Sequence, residues 1–179
     1  MLDAVHNWGT EPSERQLAYP CDELISHPEA ILFRGVTINA SPANSFRWLC
    51  QMRVAPYSYD WIDNGGKQSP QVLTPGLDQL DVGQDFMTIF TLVAFEHDRS
   101  LTLRTKTPSR AGKVFGDVAV SYCIVKRSSS SCRLLAKLLV QYPPTVRGRL
   151  MAALLPWGDL IMMRRQLLNF KHLAEKSEK

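Results

Sequence analysis

The sequence lacks the long apolar segments that mark membrane and secreted proteins. No apolar run reaches the roughly 18 residues that a membrane-spanning helix needs. The longest candidate, residues 154–163, is interrupted by Pro156, Gly158 and Asp159. The chain does not open on a basic segment followed by an apolar run, so the sequence predicts no secretory signal. We therefore expect no membrane span.

Cysteine and histidine are few and unclustered. The four cysteines form no C-x-x-C pair, and none of the four histidines has the spacing of a metal ligand relative to another. Zinc sites and disulfide frameworks both need such clustering. We therefore expect no metal site and no cofactor. Reduced thiols fit a cytoplasmic location.

An excess of charge of one sign is also missing. The net charge is only +4, and much of the positive excess lies near the C-terminus, in Arg147, Arg149, Arg164, Arg165 and Lys171. A nucleic-acid-binding protein more typically carries a dense basic stripe with exposed aromatic residues between the charges. We therefore expect no nucleic-acid partner and interpret these residues as a solvated helix face.

The composition that remains is that of an ordinary globular domain. Apolar residues make up 45% and charged residues 21% of the 179 residues, which is the size of one domain. Residues 1–28 are polar and contain three prolines, so we expect an irregular N-terminal lead-in that wraps the domain. Residues 29–177 are predicted to form that single domain.

The first half of the domain shows one strand and two short helices. Apolar alternation over residues 30–39 predicts a strand with a bulge or a bend at Gly35. Ser41 is a favourable N-cap with a proline behind it, which predicts a helix over residues 42–53. A second short helix over residues 59–64 is closed by Gly65 and its neighbouring glycine.

The second half contains strands followed by a long helical pattern. Strands are predicted over residues 86–95, 101–105, 114–125 and 132–142. In the last of them one face carries the charges, so the face with Leu134, Ala136, Leu138 and Val140 is expected to lie inward. A helical pattern covers residues 145–176, and Pro156 predicts a kink that divides it in two.

One apolar stripe of that last helix is expected to pack on the sheet. At about 100° per residue, Trp157, Ile161 and Leu168 share a face. Arg164 falls in the middle of this stripe, and a buried guanidinium needs a partner. The sequence therefore predicts an ion pair with an internal carboxylate, such as Asp60 or Asp159, or recognition of a ligand anion. A third alternative is that the guanidinium snorkels to solvent. The ion pair is the preferred hypothesis.

Residues 55–64 are the most distinctive segment. They hold Tyr57, Tyr59 and Trp61 together with the carboxylates of Asp60 and Asp63, beside a Gly-Gly turn. Aromatic residues at this density often form the wall of a small-molecule pocket. The two carboxylates suit a general acid and base, but Asp60 equally suits a cap of the short helix, which we prefer.

Several of these segments together resemble a known superfamily. Residues 36–42, running into Phe46-Arg47-Trp48-Leu49, resemble the first strand and helix of bacterial SRPBCC proteins, the START-like superfamily related to polyketide cyclases. Residues 57–61, 80–84 and 159–171 resemble one bacterial branch of it. The resemblance implies an α+β helix-grip fold, in which a curved antiparallel sheet wraps around a long C-terminal helix and two short helices follow the first strand.

The resemblance also implies an internal cavity between the sheet and the last helix. The expected function is binding of a hydrophobic or amphipathic small molecule there. The alternatives are a cyclase or dehydratase-type enzyme acting on a polyketide-like or aromatic substrate in the same cavity, and a partner-binding domain whose cavity is filled. No catalytic set is carried over, and the sequence gives no indication of the oligomeric state. The candidate ligand-binding residues are Trp48, Tyr57, Tyr59, Trp61, Tyr122, Trp157 and Arg164.

Overall fold

A curved antiparallel sheet and one long helix dominate the computed structural model, which describes residues 2–106 and 109–178. The strands are β1 (Ala30–Ile38), β2 (Asp85–Phe86), β3 (Phe90–Glu96), β4 (Ser100–Thr105), β5 (Asp117–Lys126) and β6 (Cys132–Gln141). The helices are α1 (Leu2–Asn7), α2 (Pro42–Cys50), α3 (Asp60–Asp63), α4 (Arg110–Phe115) and α5 (Val146–Ser177). The strand order is β1-β6-β5-β4-β3-β2. The predicted α+β helix-grip fold is confirmed.

The predicted helix signals of the first half are confirmed. The Ser41 hydroxyl accepts a hydrogen bond from the backbone amide of Asn44 and so caps α2. A short 3-10 turn, Gln51–Arg53, continues α2 to the predicted end. Gly65 and Gly66 both have a positive φ directly after α3, as a glycine stop requires.

The bulge alternative for β1 and the predicted start of β5 are wrong. The register of β1 with β6 runs unbroken through Gly35, so there is no bulge. Gly35 is needed for a different reason, because a Cβ there would lie 2.9 Å from the carbonyl oxygen of Gly9, where the N-terminal segment crosses. Val114 and Phe115 lie in α4 and not in a strand. Gly116 ends α4 at a φ of 85°, and β5 begins one residue later.

The helix α5 buries the face opposite to the one predicted. It is a single helix with Pro156 inside it, so the predicted division in two is wrong. Trp157, Ile161 and Leu168 are 45%, 56% and 37% exposed, and the prediction that they pack on the sheet is also wrong. The buried face consists of Met163, Leu167, Phe170, Leu173 and Ala174.

The misprediction has a physical reason. The helix α5 is apolar on two nearly opposite faces. The buried face also contains Asp159 and Gln166, whose polarity lowers its apparent hydrophobicity, whereas the exposed face carries six large apolar side chains.

The sheet is covered on both faces. The predicted inward residues of β6, including Leu134 and Leu138, lie in or beside the concave core with Val120 of β5, as expected. On the convex face, Tyr19, Cys21 and Ile25 of the lead-in pack against residues of β5 and β6. This layer buries Leu135, Leu139 and Arg133, although they belong to the strand face that carries the charges.

Candidate functional site

Four polar side chains meet in the concave interior of the sheet. Arg34 of β1 is paired in register with Ala136 of β6, which is paired in turn with Tyr122 of β5. Arg34 and Tyr122 therefore lie on either side of a small residue. The helix α5 places Asp159 and Gln166 against them, as the hydrogen bonds below show. We call Arg34, Tyr122, Asp159 and Gln166 the inner polar cluster.

Arg34 and Asp159 form a buried ion pair that is incompletely bonded. The Arg34 side chain is fully buried, and its Nη2 atom lies 2.6 Å from Oδ2 of Asp159. Its Nη1 atom donates to the carbonyl oxygen of Phe33 at 2.9 Å. Its Nε atom has no hydrogen-bond partner among the described residues. A buried cation with an unused donor is costly, since burial removes the water that would otherwise bond it.

The pair changes the proton affinity of its surroundings. Burial raises the pKa of Asp159 to about 6, because the loss of solvation outweighs the attraction of the Arg34 charge. Burial, with the Asp159 charge as the next cause, raises the pKa of both Tyr122 and Tyr142. Both phenols therefore stay protonated at neutral pH and can donate hydrogen bonds.

A short segment is tied to α5 beside this cluster. The Tyr122 hydroxyl donates to Oε1 of Gln166 at 2.7 Å, and Nε2 of Gln166 donates to the carbonyl oxygen of Pro56 at 2.6 Å. One turn later, Nδ2 of Asn169 donates to the carbonyl oxygen of Tyr57 at 2.8 Å. We call residues 56–58 the strap. Tyr57 within it has a φ of 57°, the left-handed conformation that non-glycine residues seldom adopt.

The Tyr57 side chain reaches from the strap into the core. Its ring contacts Trp48 and Phe170, with centroids 6.2 Å and 5.3 Å apart. Burial raises the pKa of its hydroxyl to about 12. The hydroxyls of Tyr57 and Tyr142, like Nε of Arg34, are buried without a partner among the described residues.

Two pockets lie at opposite ends of this interior. The first, with a volume of about 460 Å³, is open to the surface and is bordered by Tyr57, Asp60, Arg165, Asn169 and His172. We call it the strap pocket. The second has a volume of about 380 Å³ and lies between β6 and the start of α5. Its lining includes Tyr142. Each pocket is therefore bordered by one of the two tyrosines whose hydroxyl is unpartnered.

The structure brings only some of the predicted site residues together. Trp48, Tyr57 and Tyr122 lie in the interior, and Nε1 of Trp48 donates to the Ser177 hydroxyl at 2.9 Å. Tyr59 is partly buried beneath Arg165, whose guanidinium lies 5.9 Å from the ring centroid.

The remaining predicted residues lie at the surface. Trp61 is 76% exposed, and Trp157 and Arg164 are exposed on α5. Of the seven predicted residues, only Tyr57 borders either of the two pockets. The cavity expected beside Trp48, Tyr59 and Trp61 thus corresponds to neither pocket.

The buried arginine is a different residue from the one predicted. The Arg164 guanidinium lies over the Trp8 ring, 5.7 Å from its centroid, and the prediction of an internal ion pair for it is wrong. Asp159 does have an arginine partner, but it is Arg34. The period-two pattern of β1 contained this information, because Arg34 alternates in phase with the inward Leu32 and Val36.

The preferred interpretation of Asp60 as the cap of the short helix is wrong. It is the first residue of α3, and the Tyr59 side chain before it makes no cap hydrogen bond. The Asp60 carboxylate instead accepts hydrogen bonds from the backbone amide and hydroxyl of Ser69, which closes residues 60–69 into a loop at the strap pocket.

The described residues contain no group of histidine, cysteine, aspartate or glutamate side chains that could hold a metal ion. Within the same part of the chain, no helix has the length and apolar character needed to cross a membrane.

Comparison with known proteins identifies the fold and nothing finer. No family model matches the sequence, and no curated protein matches it. Protein jhp0584 of Helicobacter pylori is 13% identical over 88% of this chain and 95% of its own, with a TM-score of 0.58. Protein MLL2253 of Mesorhizobium loti is 11% identical over 83% of this chain and 99% of its own, with a TM-score of 0.51.

A norcoclaurine synthase of Thalictrum superimposes with a TM-score of 0.47 at 9% identity, over 83% of this chain and 96% of its own. A likeness that weak says nothing about chemistry. The chain is thus similar to the Helicobacter and Mesorhizobium proteins in its architecture, which is the helix-grip fold.

Proposed function

We propose that this protein binds a small amphipathic molecule between the concave face of the sheet and α5, with the polar end of the molecule at the inner polar cluster. The apolar residues around the cluster, such as Leu138 and Met163, suit the body of such a molecule. The proposal keeps the binding function expected from the sequence but moves the polar contact from Arg164 to Arg34.

One observation carries the proposal: the interior contains polar atoms that the fold itself does not use. Nε of Arg34 and the hydroxyls of Tyr57 and Tyr142 are buried without partners among the described residues. Each such group costs about 1–3 kcal/mol. An apolar core of the same volume would avoid this cost, and replacing a buried ion pair by apolar residues is often stabilising. These groups are therefore better explained by a ligand than by folding.

The chemistry of the unpartnered atoms limits the ligand class. The guanidinium can only donate hydrogen bonds, and each phenol can donate one. All three groups are donors, and although the two tyrosines lie at opposite ends of the interior, each donor suits a hydrogen-bond acceptor such as a carbonyl or carboxylate oxygen. We therefore infer a carbonyl or carboxylic acid compound with an apolar body.

The strap is the proposed route of entry. Side chains of α5 hold it through a few hydrogen bonds, and the strap pocket lies directly outside it. The left-handed conformation of Tyr57 is the kind of local strain that occurs at functional sites. Displacement of residues 56–58 would join the strap pocket to the inner polar cluster.

Thermal melting with matched probes tests the proposal. Decanoic acid, methyl decanoate and decylamine share a chain length but differ in their polar ends. We expect the acid or the ester to raise the melting temperature and the amine to have no effect. Tyr142→Phe should remove that increase without lowering the melting temperature of the free protein, because the lost hydroxyl bonds nothing in the described chain.

Tyr59→Phe is the matched control, since it makes the same chemical change at a residue outside the interior. It should leave the ligand-induced increase intact. The proposal fails if neither the acid nor the ester stabilises the wild-type protein. It also fails if Tyr142→Phe and Tyr59→Phe respond equally to the probes.

One observation favours an enzyme as the second candidate. Asp159, with its pKa raised by burial to about 6, lies beside Arg34 and in the electrostatic range of Tyr122. Titratable groups that converge in an interior suit general acid–base catalysis of the cyclase or dehydratase kind. For a compound found to bind and react, Asp159→Asn should then abolish turnover and preserve binding, whereas a pure binding protein would show no turnover.

A further inference from the structure

The exposed face of α5 carries an apolar stripe that Arg164 interrupts. Its members are between 37% and 84% exposed. At about 100° per residue they fall within an arc of about 80° on the helix surface. We call this set the outer stripe, and it consists of Val146, Leu150, Leu154, Trp157, Ile161 and Leu168.

The outer stripe has no role in the core. It lies nearly opposite to the buried face that contains Met163, Leu167 and Phe170. Exposed apolar patches of this extent generally mark interaction sites. Neighbouring elements extend the apolar surface: α4 packs against α5 and exposes half of Val114. The described chain therefore has a large apolar surface that its own fold leaves uncovered.

Positive charge lies on and beside the outer stripe: Arg164 falls within its arc, and Arg149 and Arg165 lie outside its two edges. Arg149, Arg164 and Arg165 are exposed.

Between Val146 and Ala174 the sequence contains a single acidic residue, Asp159, and that residue is buried against Arg34. Glu175, near the end of the helix, is partly exposed and is paired with Lys171 at 3.3 Å. The exposed face of α5 is therefore mainly apolar, with one arginine within the stripe and two at its flanks.

We propose that the outer stripe docks peripherally on an anionic lipid surface. In this arrangement α5 lies parallel to the membrane plane, with Trp157 and the aliphatic residues at the level of the head groups and the arginines on lipid phosphates. The apolar stems of the arginines can extend along the same surface while their charges reach the phosphates. This function is separate from ligand binding in the interior.

Charge and shape favour lipid over a protein partner. If two copies met stripe to stripe, Arg149, Arg164 and Arg165 would approach their counterparts. Between Val146 and Ala174 the helix offers no acid to compensate except the buried Asp159. The stripe is also the surface of a single helix with protruding side chains, and only its two ends, Val146 and Leu168, border one of the two pockets. A fluid interface accommodates such side chains without a complementary pocket.

Vesicle co-sedimentation tests this inference. The wild-type protein should bind vesicles of equal parts phosphatidylcholine and phosphatidylglycerol, and should bind pure phosphatidylcholine much more weakly. Replacing Leu150 and Ile161 together by serine should lower the partition coefficient by about tenfold or more, since two side chains lose their apolar burial. Both positions are exposed, so circular dichroism and the melting temperature should be unchanged.

The matched control is the double replacement of Val72 and Val82 by serine. These valines are 74% and 65% exposed but lie in the loop before β2, outside α5. This variant should bind the anionic vesicles like the wild type.

The charge contribution can be separated in the same assay. Arg149→Gln should lower binding to the anionic vesicles by about fivefold, which corresponds to one arginine near an anionic surface. Arg99→Gln, at an exposed hairpin, should have no effect.

Absence of binding to the anionic vesicles would overturn the inference, as would equal losses in the Leu150/Ile161 and Val72/Val82 variants. A dimer seen by light scattering that disappears in the Leu150/Ile161 variant would also overturn it, because the stripe would then be an interface between two copies.

Discussion

Two arginine–carboxylate pairs lie on opposite faces of the same sheet and are built differently. On the convex face, Nε and Nη2 of Arg133 donate to the two carboxylate oxygens of Glu14 at 2.7 and 2.8 Å. Arg133 also donates to the Thr37 hydroxyl and to the carbonyl oxygen of Gly9. On the concave face, Arg34 has one bond to Asp159 and one to a backbone carbonyl, and its Nε remains unused in the described chain.

The pKa values of Glu14 and Asp159 are shifted in opposite directions, in line with this difference in hydrogen bonding. Burial pulls the pKa of Glu14 upward, but the hydrogen bonds from Arg133 and the Glu11 amide, with the charges of Arg133 and Arg127, outweigh it and lower the pKa. For Asp159, burial outweighs the attraction of Arg34 and raises the pKa to about 6. In the convex pair all three guanidinium nitrogens of Arg133 are hydrogen-bonded, and we call the Arg133–Glu14 pair the clamp. In the concave pair Nε of Arg34 has no partner in the described chain.

The comparison teaches how to separate structural polar groups from functional ones in this fold. Both arginines are buried, so burial alone does not distinguish them. The two arginines differ instead in how many of their donors have hydrogen-bond partners. A purely structural pair is expected to have a partner for every donor.

The largest expected effect comes from breaking the clamp. Arg133→Met leaves Glu14 without its bidentate partner and releases the N-terminal segment from β6. We expect a loss of about 3–5 kcal/mol in the free energy of unfolding. Urea denaturation measures it.

Arg127→Met is the matched control for this variant. Arg127 also approaches Glu14, at 3.8 Å, but its side chain is 49% exposed. Exposed pairs contribute less than about 1 kcal/mol. Equal losses in the two variants would show that the convex pair is no clamp.

Tyr122 and Tyr142 are both buried but differ in whether the hydroxyl is hydrogen-bonded, and the expected effects of removing it are smaller. Tyr122→Phe leaves Oε1 of Gln166 without its donor in a buried site, so we expect a loss of about 1–2 kcal/mol. Tyr142→Phe removes a buried hydroxyl that bonds nothing in the described chain and should not lower the unfolding free energy but raise it, by up to about 1–3 kcal/mol. A larger loss for Tyr142→Phe than for Tyr122→Phe would contradict the assignment of which hydroxyl is in use.

The smallest effect concerns pH. The folded-state pKa of Asp159 is raised above its unfolded value, so the folded protein binds the proton more tightly and gains stability as the pH falls through about 6. Between about pH 7 and about pH 5 this gain is about 1 kcal/mol.

Asp159→Asn should lack this gain, and the difference between its denaturation curves and those of the wild type isolates it from other groups. Glu14 has the opposite sign, since its stabilisation is lost only as the pH falls through its ordinary range and below. A wild-type protein and an Asp159→Asn variant with parallel pH dependence would contradict the raised pKa.

Local chemistry made much of the fold predictable from sequence. The cap at Ser41, the stop at Gly65 and the alternation in β6 each depend on neighbouring residues, and each is confirmed. The buried face of α5 was not predictable in this way, because both of its faces are apolar and only the sheet decides which one is covered.

The candidate site was less accessible to sequence reasoning. The sequence indicates Tyr57 and Asp159 as candidates but not Arg34, because the apolar stripe of α5 favours Arg164 as the buried arginine. The pairing joins residues 34 and 159, which come together only when α5 is laid across β1. Contacts of this kind depend on tertiary geometry, and the strand periodicity of β1 was the only local indication of them.

The first residues of the chain also determine what the sheet can do at its rim. Asn7 and Trp8 pair in parallel with Phe33 and Arg34 along the outer side of β1. Without them β1 would present a nine-residue row of backbone donors and acceptors, and such a row recruits strands from other molecules. The opposite rim is β2, which is only two residues long. Removal of the N-terminal segment is therefore a direct route to aggregation through edge-to-edge strand addition.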